Sequence, residues 1–353
     1  MKRKSKRFLL QCLIVCLVGF GIGVGGYWLS QYGISVIKSS PPPSVETTTP
    51  EVFRPGEGEY QNYCPLCGTV AANLFDHGPI AVLIDNTSKG SPQSGLLEAD
   101  IIYEAPIEGG LTRLMAIYYH AQPGKIGPIR SIRPYFLDIA QEYTAVPVHC
   151  GGSPAALQLI KQQKITSIDA LKKSATFWRS TQKKAPYNMY SSYEYFGKVL
   201  TKASSTAIEP LSSGGFYGPG SGPTGDTPGP SLAIDFSTNQ KVSYVYDPEK
   251  LVYTRHIAGK PHLDAESSQP LVASNVIVQI VSSKVLDRVG RLELGITGSG
   301  LAHIYTQGYR LEATWSRSVQ EQKTVYRDAQ GNEIPLTPGQ TWIEIVPSGV
   351  RVE

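Results

Sequence analysis

The chain has 353 residues, of which 41% are hydrophobic and 18% charged, with a formal net charge of +4 and five cysteines. Lys2, Arg3, Lys4, Lys6 and Arg7 account for the whole excess, because without the first thirty residues 28 basic residues face 29 acidic ones. A near-neutral body argues against nucleic acid as a partner, which would require a basic face, and the length suffices for two ordinary domains, each with its own core.

Phe8 to Leu29 runs 22 residues without a charge behind that basic block. About 20 apolar residues span a bilayer and flanking positives stay in the cytoplasm. Residues 1–30 are therefore expected to be a signal anchor, a single-pass transmembrane helix in the cell membrane with the bulk of the chain extracytoplasmic. A cleaved signal peptide has a shorter apolar region of about 7–15 residues, although the glycines from Gly19 to Gly26 leave cleavage open. Cys12 and Cys16 lack the small residue that precedes a lipidated cysteine. Residues 31–63, with Pro41 to Pro43 and then Ser, Thr, Glu and Gly, read as a disordered stalk.

Cys64-Pro-Leu-Cys67-Gly68 looks like half of a zinc ribbon, but no second Cys-x-x-Cys follows and Cys150 stands alone. A structural zinc site needs four ligands. Outside the membrane a Cys64–Cys67 disulfide or two plain thiols is the preferred reading.

Pro79 to Ile84 is an apolar run closed by Asp85-Asn86, a buried strand with a polar end. Ala99 to Ala105 and Leu111 to Tyr119 flank Glu108-Gly-Gly110 and read as a hairpin. Tyr135 to Tyr143 is expected to be helical and Val146 to Cys150 another strand. Ser153-Pro154 opens a helix, with serine as N-cap and proline at the first position. Residues 64–211 thus form an α/β or α+β domain with a mixed sheet. Residues 212–231 are a Gly/Pro-rich linker without core-forming residues. Strand patterns at 241–246, 275–281, 302–305 and 341–346 make residues 232–353 a smaller, mostly-β domain. No internal repeat is evident.

Several polar groups fall at strand ends in the first domain: Asp85, Asp100, Glu104, Glu108 and Arg113. Lys125-Ile-Gly-Pro-Ile-Arg-Ser-Ile-Arg-Pro134 then sets Arg130 and Arg133 three apart on a Gly/Pro-punctuated loop. Two guanidinium forks on one loop suit carboxylate or phosphate oxygens; alternatively, each arginine pairs with a neighbouring acid. The helix opening at Ser153 adds free N–H groups that suit phosphate, and Arg179, Lys183 and Lys184 follow beside aromatics. The alternatives are plainer: Ser153 as a cap, His149 as a hydrogen-bonded core histidine, Asp100 as the end of a turn. Glu104 and Glu108 span a turn without the geometry of a glycosidase pair. Gly295 to Gly300 reads as a β-turn between strands, and His256, His262 and Asp264 as loop residues.

The segments 79–86, Pro92-Gln-Ser-Gly95, 98–105, 108–110, 126–134 and His149-Cys-Gly-Gly-Ser-Pro154 resemble the YerB-like envelope proteins, and the resemblance continues from Asn275 to Pro347. It implies two domains and no settled activity. Members of that family are often lipoproteins, whereas this chain has no lipid-attachment cysteine in a suitable context. The Cys64–Gly68 turn replaces a cysteine-poor one, which argues further against zinc. A looser similarity to LytR-CpsA-Psr proteins, envelope phosphotransferases that act on polyprenyl pyrophosphate-linked glycopolymers, implies a Mg²⁺-holding Asp100, pyrophosphate contacts from Arg130 or Arg133, and a further contact from Arg179. Ser131 and Pro134 follow the arginines where that family has an acidic residue, so binding without turnover is the expected outcome. The ligand-binding set is then Asp85, Asp100, Glu104, Arg113, Arg130, Arg133, His149, Ser153 and Arg179, with a protein partner open to the β domain.

Overall fold

The computed structural model describes residues 50–71, 78–172, 174–198, 200, 211–212, 214–223, 227–319 and 323–353. The expected membrane anchor and most of the stalk lie outside the described residues. Among the described residues, no helix is long and apolar enough to cross a membrane.

The fold is mostly β, with a few short helices. In the first module the elements are β1 (Ile80–Asp85), β2 (Ile101–Pro106), β3 (Thr112–Tyr118), α1 (Pro134–Glu142), β4 (Val146–His149), α2 (Pro154–Gln162), β5 (Ile168–Asp169) and α3 (Tyr193–Gly197). The second contributes β6 (Ser231–Ser237), β7 (Gln240–Asp247), β8 (Val252–Ile257), β9 (Asn275–Val281), β10 (Gly298–Thr306), β11 (Tyr309–Arg317) and β12 (Thr341–Pro347).

The expected strands form, but the two modules do not keep separate sheets. One mixed sheet runs β11-β10-β9-β12-β2-β3-β1-β4-β5, extended at the β11 edge by Thr227–Pro228 and Val325–Arg327. β12 lies parallel to β9 on one side and parallel to β2 on the other, with Thr341 opposite Ile101 and Glu344 opposite Glu104. The final long strand of the chain therefore fills the centre of the sheet.

Period-2 alternation divides the strand residues between two cores. Leu83, Ile101, Tyr103, Ile117, Ile343 and Ile345 face one, with Phe136 and Ile139 of α1. Ile80, Val82, Ile102, Leu114, Val278 and Trp342 face the other, which is closed by Leu232, Ile234, Val242 and Tyr244 of β6 and β7 and by Phe196 of α3. β6, β7 and β8 form an antiparallel meander, the second sheet, completed by short strands at Arg351–Val352, Lys260–Pro261 and Val272–Ala273.

Two compositional expectations are corrected. The described end of the stalk packs, since Phe53 is buried and stacks on Tyr60 at 4.3 Å between ring centroids. Within the linker, Phe216 is fully buried and Phe216–Tyr217 pairs antiparallel with Val52–Phe53. Each segment is too poor in apolar residues to fold alone, and each completes the other.

Candidate functional site

The arginine loop lies along the ends of β1 and β4. Arg130 N donates to Leu83 O at 2.8 Å, Asp85 N to Pro128 O at 2.9 Å, and Cys150 N to Arg130 O at 3.0 Å. These bonds fix the backbone, so the guanidinium groups start from a defined position.

Three arginines meet two carboxylates there. Arg130 Nε lies 3.0 Å from Asp85 Oδ2, and its guanidinium sits over the Tyr187 ring, 5.1 Å from the centroid. Arg133 makes a two-pronged pair with Glu108, in which Nε donates at 2.9 Å and NH2 closes the second bond. Burial raises Glu108, but the bonds from Arg133 and from its own backbone outweigh it and hold the carboxyl below its usual value. Arg113, opposite Asp85 in the β1–β3 register, is buried and donates to Ser131 O at 2.7 Å, while its Nε has no hydrogen-bond partner. Burial first, then the charge of Arg133, pulls Arg113 down to about 10, which leaves it a cation at neutral pH. Asp85 Oδ1 accepts from Thr87 N at 2.8 Å. The chain returns so closely at Gly90 that a Cβ there would stand 2.3 Å from that same oxygen.

Around Arg130 the surface is basic. Lys89 Nζ stands 5.8 Å from the Tyr187 centroid, and Lys183 Nζ donates to Pro92 O at 2.7 Å. Arg179 is exposed and donates to Asn188 Oδ1 at 2.8 Å. Burial raises the half-buried Cys150 thiol, against the opposing positive charge of Arg179 and Arg130.

Other expected ligand residues are committed elsewhere. Glu104 is fully buried, accepts from Asn86 Nδ2 at 2.9 Å and from Thr112 Oγ1, and forms an ion pair with Arg255. His149 is a satisfied core histidine: Nδ1 meets Gly151 O at 2.9 Å, Nε2 meets Ser167 Oγ at 3.2 Å, and burial lowers its pKa. Ser153 caps α2 by accepting from Ala156 N at 3.3 Å.

Asp100 is not with the arginines. It precedes β2 at the end of the hairpin remote from Arg113, five residues and about 17 Å of extended chain away. Its neighbours are Cys64, Cys67 and His120, and the metal-binding atoms of all four lie within 4.8 Å of one another. Cys64 and Cys67 are both free and buried. Hydrogen bonds to Asp100 and then to Cys67 raise His120 to about 10. Two sulfurs and an imidazole are poor company for Mg²⁺, which prefers oxygen, so the Mg²⁺ role expected of Asp100 does not fit.

Sequence reasoning missed His120, Tyr187 and the buried set Arg255, Tyr244 and Glu344. For His120 a signal existed: the hairpin pairs Ile101 with Ile117, which brings residue 100 beside residues 118–120.

Residues 66–206 match the N-terminal domain, and residues 232–343 the C-terminal domain, of a protein family of unknown function, DUF3048. "Putative lipoprotein YerB" of Bacillus subtilis (strain 168) is 31% identical over 288 residues, covering 80% of this chain and 86% of its own length. The crystal structure of YerB protein from Bacillus subtilis superposes with a TM-score of 0.72 at 29% identity, over 82% of this chain and 99% of the other. Both modules, in order and nearly whole, place this chain in the DUF3048 family, alongside YerB.

Proposed function

We propose that this chain is a membrane-attached cell-envelope protein whose basic face at Arg130 binds an anionic group, phosphate or carboxylate, carried by an envelope ligand. The observation that carries this reading is the excess of fixed positive charge: three guanidinium groups around two carboxylates, with one buried Nε that no protein group satisfies. A buried donor without a partner is costly, and the surplus positive charge around it favours an anion beside Arg130. Tyr187, Lys89 and Arg179 supply the exposed side of the site. The basic block followed by 22 uncharged residues supports membrane attachment, and a relative named as a lipoprotein supports the envelope.

Binding is favoured over turnover. A Mg²⁺-dependent phosphotransferase needs its metal-holding carboxylate beside the phosphate contacts, and Asp100 lies at the other end of the hairpin. Titration calorimetry with inorganic pyrophosphate and with citrate, on the full-length protein in detergent, tests the reading. Binding of either probe that weakens at least about tenfold in Arg130→Ala, roughly 1.4 kcal/mol, supports it. Equal binding by the variant, or none by the wild type at millimolar probe, rejects it.

A further inference from the structure

We propose that Cys64, Cys67, Asp100 and His120 form a tetrahedral site for a thiophilic divalent ion of the zinc class, which clips the segment leading into the first module onto the far end of the β2–β3 hairpin.

The geometry comes from three separate stretches of chain. Cys64-Pro-Leu-Cys67-Gly68 makes a tight turn closed by Gly68 N to Cys64 O at 2.8 Å and Cys64 N to Thr69 O at 2.8 Å. Gly68 has φ +66°, and a Cβ there would stand 2.5 Å from the Phe216 ring, so the turn requires glycine. Asp100 comes from just before β2 and His120 from just beyond β3. Hairpin pairing makes these two neighbours, and the Cys-x-x-Cys turn packs against both.

Two of the spacings suit a metal before any ion is added, and the third contact, between Asp100 and His120, must open to admit one. With Zn–S near 2.3 Å and Zn–N or Zn–O near 2.0–2.2 Å, tetrahedral ligand atoms stand about 3.3–3.8 Å apart. Cys64 Sγ is 3.4 Å from Asp100 Oδ1, and Cys67 Sγ is 3.6 Å from His120 Nδ1. Asp100 and His120 Nδ1 now share a hydrogen bond that an ion between them would replace.

The surrounding groups aim the ligands. Tyr119 N donates to Asp100 Oδ2 at 2.7 Å, which turns Oδ1 toward the sulfurs. Thr69 Oγ1 lies 3.1 Å from Cys67 Sγ. Outer partners of this kind orient first ligands in metal sites.

The donor set selects the ion. Two thiolates, an imidazole and one carboxylate oxygen match zinc, whereas magnesium and calcium take oxygen cages. Four protein donors leave no open position, so the ion is structural. Cys64, Cys67 and Asp100 are buried, and only the His120 side chain, 26% exposed, reaches solvent. An occupied site also keeps the two thiols from pairing in an oxidising compartment.

The test is metal analysis of the full-length protein purified without chelator, followed by reconstitution with cobalt(II). About one zinc per chain, thiols that react with a thiol reagent only after chelation, and a cobalt spectrum with tetrahedral d–d bands and thiolate charge transfer are expected. His120→Asn, at the most exposed ligand, should fold yet hold the metal more weakly, and Cys64→Ser should lose the charge-transfer band in part. Four results overturn the proposal. One is wild-type protein that takes up no zinc after full reduction. Another is an octahedral cobalt spectrum without thiolate bands. The third is zinc held equally well by both variants, and the last is a Cys64–Cys67 disulfide that reduction does not convert to a zinc site.

Discussion

Glu104 on β2 and Arg255 on β8 form an ion pair in which neither side chain is exposed to solvent. The pair joins the two modules across their shared core. Arg255 also reaches Glu344 at 3.1 Å and lies over the Trp342 ring, 4.3 Å from its centroid. His262, held neutral by burial, accepts from Arg255 Nε at 3.2 Å and meets Gln93 Oε1 at 2.6 Å.

Removing the arginine leaves two buried carboxyl groups, of Glu104 and Glu344, without their cation. Arg255→Leu is expected to destabilise the protein by about 3–5 kcal/mol, the usual cost of breaking a buried pair from one side. Denaturant unfolding measures it, and a midpoint unchanged from wild type would refute the bridging role.

The same cluster predicts a pH dependence. Burial, then the charge of Glu104, pushes Glu344 up to about 8 against the pull of Arg255. A carboxyl raised in the folded state keeps a proton that the unfolded chain releases. Its contribution is whole below the unfolded value of 4.5 and is lost as pH rises through 8. Wild type should lose a few kcal/mol relative to Glu344→Gln between pH 5 and 8, at about 1.4 kcal/mol per pKa unit. His149 and His262, both lowered by burial, weaken the protein as pH falls below 6.5 in wild type and variant alike, so the difference isolates Glu344. A flat difference across this range would remove the assignment.

Phe216 ties two compositionally weak segments together. Phe216→Ala should cost about 3–5 kcal/mol, as for other large-to-small changes in a core, and should expose residues 50–71 to protease. Intact resistance would mean that the segment folds without it.

Asp85 partly neutralises Arg130, so in the proposed reading it opposes anion binding there. Asp85→Asn should tighten pyrophosphate binding about threefold to tenfold, the scale of one partly exposed ion pair, as read by calorimetry. Weaker binding would place the ligand elsewhere.

Ser153→Ala should cost about 1 kcal/mol, the typical worth of an N-cap, and leave pyrophosphate affinity unchanged. A loss of affinity would restore a ligand role to the helix start.

Local patterns made much of the fold readable. The apolar run at 80–84, the hairpin around Glu108, Ser153-Pro154 and the run at 275–281 all became the elements their residues favour. What pairing across long separations decides was not readable: β12 reads as one more strand of the second module, and nothing local tells it to pair with Ile101. Phe216 sits in a Gly/Pro/Ser-rich stretch whose composition says linker, because its partner Phe53 lies far upstream. At the site, the grouping of Arg113 and Arg130 with Asp85 followed from strand ends. Glu104 and Asp100 were misplaced because their partners, Arg255 and Cys64, come from other parts of the chain.

The central position of β12 has a consequence for how the chain is made. Synthesis delivers β2 well over two hundred residues before β12, so a nascent chain carries the open edge of β2 until residues 341–347 emerge. Open edges invite pairing with other strands, and pairing between remote segments is slow. The sheet therefore closes only after residues 341–347 have emerged, and a product truncated before Thr341 is left with two unsatisfied edges, on β2 and β9, facing an empty lane.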